Sequence, residues 1–274
     1  MEKRNIRFIN AFALKIIAIL SVLSDHIAFA FVRNDTLHNM MRIFGRLAFP
    51  LFAFFIVQGI IHSRNRNKYL LRLTYIYIVL QVFIAIAYFF SGTSFPNVFM
   101  TLLSGAAFLT YLHEKRWKEV YLLVPILVTV ALNITANYVN NDVLMMFTGD
   151  YGNYGLFMIV SFYAAYVLTK QYLEMQNIKY FNTPSDTPLD ESYEKVFNVF
   201  SSISLFVTHG IWYIFEVFSI SNTSAGMQHY ALLTIVLLLL YSGKLGHNSK
   251  VWRWIYYLFF PIHLAIIALI TLLI

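Results

Sequence analysis

Long apolar runs recur along this chain, and they limit its fold more than any other feature. Residues 232–241 (LLTIVLLLLY) and 264–274 (LAIIALITLLI) do not alternate between apolar and polar side chains. Strands of a membrane β-barrel would alternate, so these runs read as helices. A helix that crosses a bilayer needs about 20 mainly apolar residues. The chain has 59% apolar and 12% charged residues and a mean hydropathy of +0.65. A soluble domain carries about 25% charged residues, so an ordinary soluble enzyme is excluded. Disorder is excluded too, because it needs low hydrophobicity. The absence of cysteine removes disulfides, thiolate zinc sites, iron–sulfur clusters and thiol nucleophiles.

The expected fold is therefore all-α, a polytopic integral membrane helical bundle of about nine transmembrane helices. The spans fall near residues 9–32, 43–62, 70–90, 95–112, 119–138, 153–172, 196–219, 227–242 and 252–273. The fourth and eighth are short enough to be tilted, broken or re-entrant. Sixteen of the twenty Lys and Arg residues fall in the N-terminal tail and the even-numbered loops. The other side holds only Arg33, Arg42 and Arg46, and Lys15 lies within the first span. Such an excess places the N-terminus in the cytoplasm and the C-terminus outside. The net charge of +7 thus reflects membrane topology, and no nucleic-acid partner is expected. The first span has the outline of a secretory signal, but Lys15, Asp25 and His26 interrupt its apolar run, so it is expected to stay. The polar stretch 174–195 reads as a cytoplasmic linker between a six-span block (1–173) and a three-span block (196–274) of a single domain, 1–274.

Ionisable residues inside a bilayer are costly, about 2.5–3.5 kcal/mol for a central charge on insertion scales, so they mark cavities and partners. Lys15 and His26 are eleven residues apart, close to three helical turns, and share a face with about 16 Å between them. Asp25 is rotated about 100° from His26. His263 follows Pro261, which bends a helix and frees a carbonyl. Arg42 and Arg46 are i, i+4 neighbours at the outer mouth and could hold an anion or Asp25. Arg64, Arg66, Lys68 and Arg72 form a basic run on the cytoplasmic side. His209 and Glu216 make a weaker pair. Glycine-rich phosphate loops, GxSxG and HExxH are all missing from the sequence, and no metal is expected.

Several blocks resemble the TraX family of conjugal-transfer membrane proteins. They are Leu14–Ala18 with Ser24-Asp25-His26-Ile27, Gly45-Arg46-Leu47-Ala48-Phe49-Pro50, and Gln58-Gly59 leading into Lys68–Leu73. Further along are Asn97-Val98 with Thr101–Gly105, Asp150-Tyr151-Gly152 with Gly155, Tyr241–Lys244 and Tyr257–Leu264. The resemblance implies an integral membrane acetyltransferase, the family's founding activity being acetylation of a pilin N-terminal amine. It also implies kinship with transmembrane acyltransferases that acetylate surface sugars. Those carry a basic residue, ten intervening positions and a histidine in the first span, as Lys15 and His26 do. Lys15 stands where arginine is commoner, keeping the charge without the bidentate fork. Phe260 replaces a family tyrosine, so no catalytic hydroxyl is expected there.

The implied activity moves an acetyl group from cytoplasmic acetyl-CoA to an amine or hydroxyl of a membrane-associated or external acceptor, a pilin N-terminus or a surface glycan. His26 is the expected general base and Asp25 its partner, with Arg46 and His263 lining the acetyl or acceptor site. Lys15, Arg64, Lys68, Arg72 and Lys244 are the expected acetyl-CoA contacts, with Arg66 beside them. The alternatives are a transporter or flippase using the same charges, or a non-catalytic membrane scaffold of a conjugation or export system. The expected location is the cytoplasmic membrane.

Overall fold

In a computed structural model the chain is described over residues 7–92, 94–114, 117–139, 141–176, 191–218 and 226–273. Helices dominate these residues: α1 Ala11–Phe31, α2 Asp35–Gly45, α3 Ala48–His62, α4 Arg66–Ser91, α5 Val98–Glu114, α6 Val124–Tyr138, α7 Asp142–Met145, α8 Gly152–Met175, α9 Glu191–Val217, α10 Thr234–Leu239 and α11 Lys250–Leu273. Short 3₁₀ stretches of seven and eight residues, Trp117–Leu123 and Gly226–Leu233, lead into α6 and α10. No strand occurs among the described residues, only an isolated bridge between Ile9 and Tyr241. The chain is an all-α polytopic membrane protein.

Helix starts follow the sequence chemistry. Asn10 and Asn65 cap α1 and α4, their side-chain oxygens accepting from the amides of Ala13 and Lys68 at 2.9 Å. Such caps satisfy amides that have no partner inside the helix. Gly92 stops α4 with φ +68°, a left-handed turn that glycine adopts without penalty.

Seven helical stretches are long and apolar enough to cross a bilayer. They coincide with seven of the nine expected spans. The other two, expected at 95–112 and 227–242, correspond to α5, with 17 residues, and to the shorter stretch Met227–Leu239. An apolar run in sequence does not separate a lipid-facing helix from one sheltered by protein. Most of α5 is buried inside the bundle, between α3, α4, α6 and α8. The expected linker 174–195 lies partly outside the described residues, at 177–190, and its two flanks belong to α8 and α9.

Contacts between helix ends define the polarity of the bundle. Arg66 pairs with Glu114, joining the start of α4 to the end of α5. His113 meets Tyr163 of α8 at 3.2 Å, and Tyr172 of α8 packs on Phe200 of α9. At its own start, α9 brings Glu194 against the Gly243 turn, and the amide of Ser242 donates to the carbonyl of Ile9 just before α1. The starts of α1, α4, α9 and α11 therefore share one end of the bundle with the ends of α3, α5 and α8. Lys68, Arg72, Lys170 and Lys244 all lie at that end, the arrangement that a one-sided basic excess requires.

Candidate active site

Helices α1 and α11 start at the same end and run side by side. Phe12 packs edge-on against Trp252 with ring centroids 5.2 Å apart. One turn further, the ammonium of Lys15 sits between the rings of Phe55 and Tyr256, 5.2 and 5.3 Å from their centroids. About three turns beyond Lys15, Nδ1 of His26 lies 2.7 Å from Nε2 of His263. The opposite nitrogen of His263, Nδ1, is 2.7 Å from the carbonyl oxygen of Phe259 one turn back on α11. His263 is buried, and Phe259 and Phe260 pack against its ring.

This chain of contacts assigns the protons. A carbonyl oxygen only accepts, so Nδ1 of His263 carries hydrogen and donates to Phe259. A neutral His263 then has its lone pair on Nε2 and accepts from Nδ1–H of His26. The lone pair of His26 is left on Nε2, the nitrogen free to take a proton from a reacting group.

An apolar cavity of about 490 Å³ opens beside the pair, lined by Leu23, Ile27 and Phe31 of α1 and by His263, Ile266, Ile267 and Ile270 of α11. It extends from the histidines toward the end of the bundle opposite the basic residues. His263 is the polar side chain on its wall.

Asp25 turns to the other side of α1. Its carboxylate accepts from Arg46 at 2.5 Å and from Arg42 at 3.3 Å. The two arginines flank the break where α2 ends and α3 begins, and Arg46 is only 8% exposed. Arg46 thus lies beside Asp25, nearly buried, toward the end of the bundle opposite the basic residues. The helices meet closely here: a Cβ at Gly45 would come within 2.6 Å of the Asp25 side chain. The expected pairing of Asp25 with His26 is replaced by an Asp25–arginine cluster. The Arg46–Asp25 pair is one of the contacts expected of the two arginines, while His263 meets His26. Consecutive helical residues point about 100° apart, so α1 can serve two sites at one depth.

Asp150 and Tyr151, in the turn before α8, join the arginine cluster. Tyr151 stacks on Phe49 with centroids 3.8 Å apart, and Arg46, Asp25 and Arg42 all act electrostatically on Asp150. Asp150 is solvent-accessible at this turn. Lost hydration pushes its carboxyl up to about 6, opposed by Arg46 and reinforced by Asp25. Burial likewise holds the Tyr151 hydroxyl above its ordinary range.

At the basic end, Arg64, Lys68 and Arg72 are exposed around the start of α4, where a helix N-terminus also favours anions. Arg66 is committed elsewhere: Nε donates to the carbonyl of Ile60 and Nη1 to Glu114. Lys244 is exposed, and its carbonyl accepts from the amide of Ala11. His209 pairs differently from the sequence expectation. Its two ring nitrogens meet Tyr154 Oη at 3.2 Å and His229 Nδ1 at 2.9 Å, while Glu216 acts on it electrostatically.

The sequence model of the TraX family, described as TraX protein, matches residues 11–177, more than half of the chain. The chain belongs to the TraX family. A stretch of 81 residues is 44% identical to the probable fimbrial assembly protein FimC, serogroup H1, of Dichelobacter nodosus, covering 29% of this chain and 33% of that protein. The chain therefore spans about a third of the length of that curated relative. No solved structure matches. Within this TraX-family chain the matched region runs through α1 to α8 and holds His26, Asp25, Arg46 and Asp150, while His263 is supplied from outside it by α11.

Sequence reading overlooked Asp150, Tyr151 and His229 as site residues. Asp150 and Tyr151 stand in a short polar interval that reads as an ordinary turn. His229 falls at the start of the short span expected at 227–242, and its partner His209 lies on another helix. The available signal for Asp150 and Tyr151 was the block Asp150-Tyr151-Gly152, one of those that resemble the TraX family.

Proposed function

We propose that this protein is a membrane acetyltransferase that uses acetyl-CoA as donor and a membrane-held amine or hydroxyl as acceptor. The observation that carries this reading is the line from His26 through His263 to the Phe259 carbonyl. It leaves one basic nitrogen, Nε2 of His26, inside an apolar bundle. The ring behind it accepts the Nδ1 hydrogen and so steadies the imidazolium that forms when Nε2 takes a proton. Positioned bases of this kind contribute about 100- to 10,000-fold.

In the proposed reaction His26 Nε2 removes a proton as the acceptor's nitrogen or oxygen bonds to the acetyl carbonyl carbon. The tetrahedral intermediate collapses, the carbon–sulfur bond breaks, and the proton on Nε2 goes to the departing thiolate. Arg64, Lys68 and Arg72 supply the phosphate contacts of the donor at the basic end. Lys15, half-buried between two aromatic rings, stands on the route from that end to His26. The apolar cavity beside His263 admits an acceptor whose neighbouring part is itself apolar.

The FimC relative is named for fimbrial assembly, and the shared stretch supports a pilus or fimbrial subunit amine as the acceptor, ahead of a surface-glycan hydroxyl. The cytoplasmic membrane, with the basic end facing the cytoplasm, fits a donor supplied from inside.

The test uses purified protein in nanodiscs with radiolabelled acetyl-CoA, following saturable binding and slow thioester hydrolysis. Hydrolysis is expected in the wild type and not in His26→Ala. Well-folded protein that binds no acetyl-CoA would sink the proposal and leave a transporter or a scaffold.

A further inference from the structure

Near its start, α9 carries a second polar site that the acetyl-transfer reading does not use. Glu194 and Asn198 are one turn apart and 2% and 1% exposed, and fully buried Ser201 continues the same face. Both carboxylate oxygens of Glu194, Oδ1 of Asn198 and Oγ of Ser201 have no hydrogen-bond partner among the described residues. Nδ2 of Asn198 donates to the carbonyl of Tyr241 at 2.7 Å, which fixes Oδ1 as the atom turned away from that carbonyl.

The turn after α10 closes over this group. Gly243 has φ +74°, and a Cβ there would come within 2.4 Å of Glu194 Cγ and 2.6 Å of Cδ, so glycine alone lets the turn lie on the carboxylate. The turn is itself bound to the start of α1: Ile9 donates to Leu240, Ser242 to Ile9 and Ala11 to Lys244.

Three of the four orphaned atoms can only accept. What they lack is a hydrogen-bond donor or a directly bound cation. Arg7 acts on Glu194 electrostatically, but no hydrogen bond from it reaches the carboxylate. Tyr241 is the other titratable neighbour. An acidic side chain buried in a bilayer protein marks an ion or substrate position, and unwound backbone beside helix ends is a known way to hold sodium. Hard cations take oxygen ligands. One carboxylate with neutral oxygens matches a single positive charge.

We propose that Glu194, Asn198 and Ser201 bind a small monovalent cation of sodium size, which ties α9 to the Tyr241–Gly243 turn and so to the start of α1. This inference stands independently of acetyl transfer.

The test is ²²Na⁺ binding and thermal unfolding of the full chain in nanodiscs, titrating NaCl against N-methylglucamine chloride at constant ionic strength. Saturable binding and a rising Tm are expected in the wild type. Glu194→Gln should lose both and be at least as stable as wild type without sodium, because it removes a buried charge that no hydrogen bond satisfies. Asn198→Ala should weaken sodium affinity about tenfold or more, the loss of one good contact. If Glu194→Gln does not fold, Asn198→Ala and Ser201→Ala decide: lower sodium affinity supports the site and unchanged affinity overturns it. Stability that follows pH and ignores sodium, with Glu194→Gln matching wild type at low pH, also overturns it, because the carboxyl then carries a proton instead.

Discussion

Nδ1 of His26 and Nε2 of His263 lie 2.7 Å apart although 237 positions separate them in the chain. The contact depends on α1 and α11 starting at one end of the bundle and keeping pace along their length. It replaces the carboxylate expected beside His26 with a second imidazole whose far nitrogen is held by the Phe259 carbonyl.

If His26 is the base, His26→Ala should lower acetyl transfer in vesicles by about 100- to 10,000-fold. His263→Ala should cost less and move the acid limb of the pH profile, since it removes the ring that fixes the His26 tautomer. The two losses should not add, because the residues act as a unit. Independent, additive losses would break the assignment.

The Asp25–Arg46 pair predicts a stability effect separate from chemistry. Arg46→Ala leaves a largely buried carboxylate with Arg42 alone and should cost about 2–5 kcal/mol, read as a lower Tm and lower yield in detergent. Arg46→Lys should recover only part, because an ammonium lacks the planar fork. Gly45→Val should resemble Arg46→Ala, since its side chain would displace Asp25.

Asp150 sets a pH dependence. Its folded-state value of about 6 lies above the ordinary 3.8, so the folded protein favours the protonated form. Its stabilising contribution is therefore complete below about pH 4 and disappears as pH rises through about 6. Comparing Tm for wild type and Asp150→Asn from pH 4 to 7 should show the wild type losing ground steadily. The change should be modest because Asp150 is accessible. A constant difference between the two proteins would show that Asp150 does not titrate in this window.

The basic end separates binding from structure. Replacing Arg64, Lys68 and Arg72 by glutamine should raise KM for acetyl-CoA with little change in kcat, and the wild-type KM should rise with salt. Arg66→Gln should instead lower Tm, because Arg66 joins α4 to α5 through Glu114 and holds the Ile60 carbonyl. Equal KM effects from all four would contradict the distinction.

Hydrophobicity alone made the membrane class, the helical fold and the one-sided basic excess legible, because each follows from the cost of leaving polar groups in hydrocarbon. The positions of His26, Asp25, Arg46 and His263 were legible for the same reason: an ionisable residue in an apolar run stands out. Their partners were not. Whether Asp25 serves His26 or Arg46 depends on which helix packs on which face of α1, and neighbouring residues on a helix face different neighbours. Helix count had the same limit, since α5 is as apolar as a span yet threads the interior. Glu194 read as the polar end of a linker until the Gly243 turn placed it inside the bundle. Composition and periodicity determine which segments leave water. Only tertiary packing decides which of their polar side chains meet, because those contacts join residues that the chain itself keeps far apart.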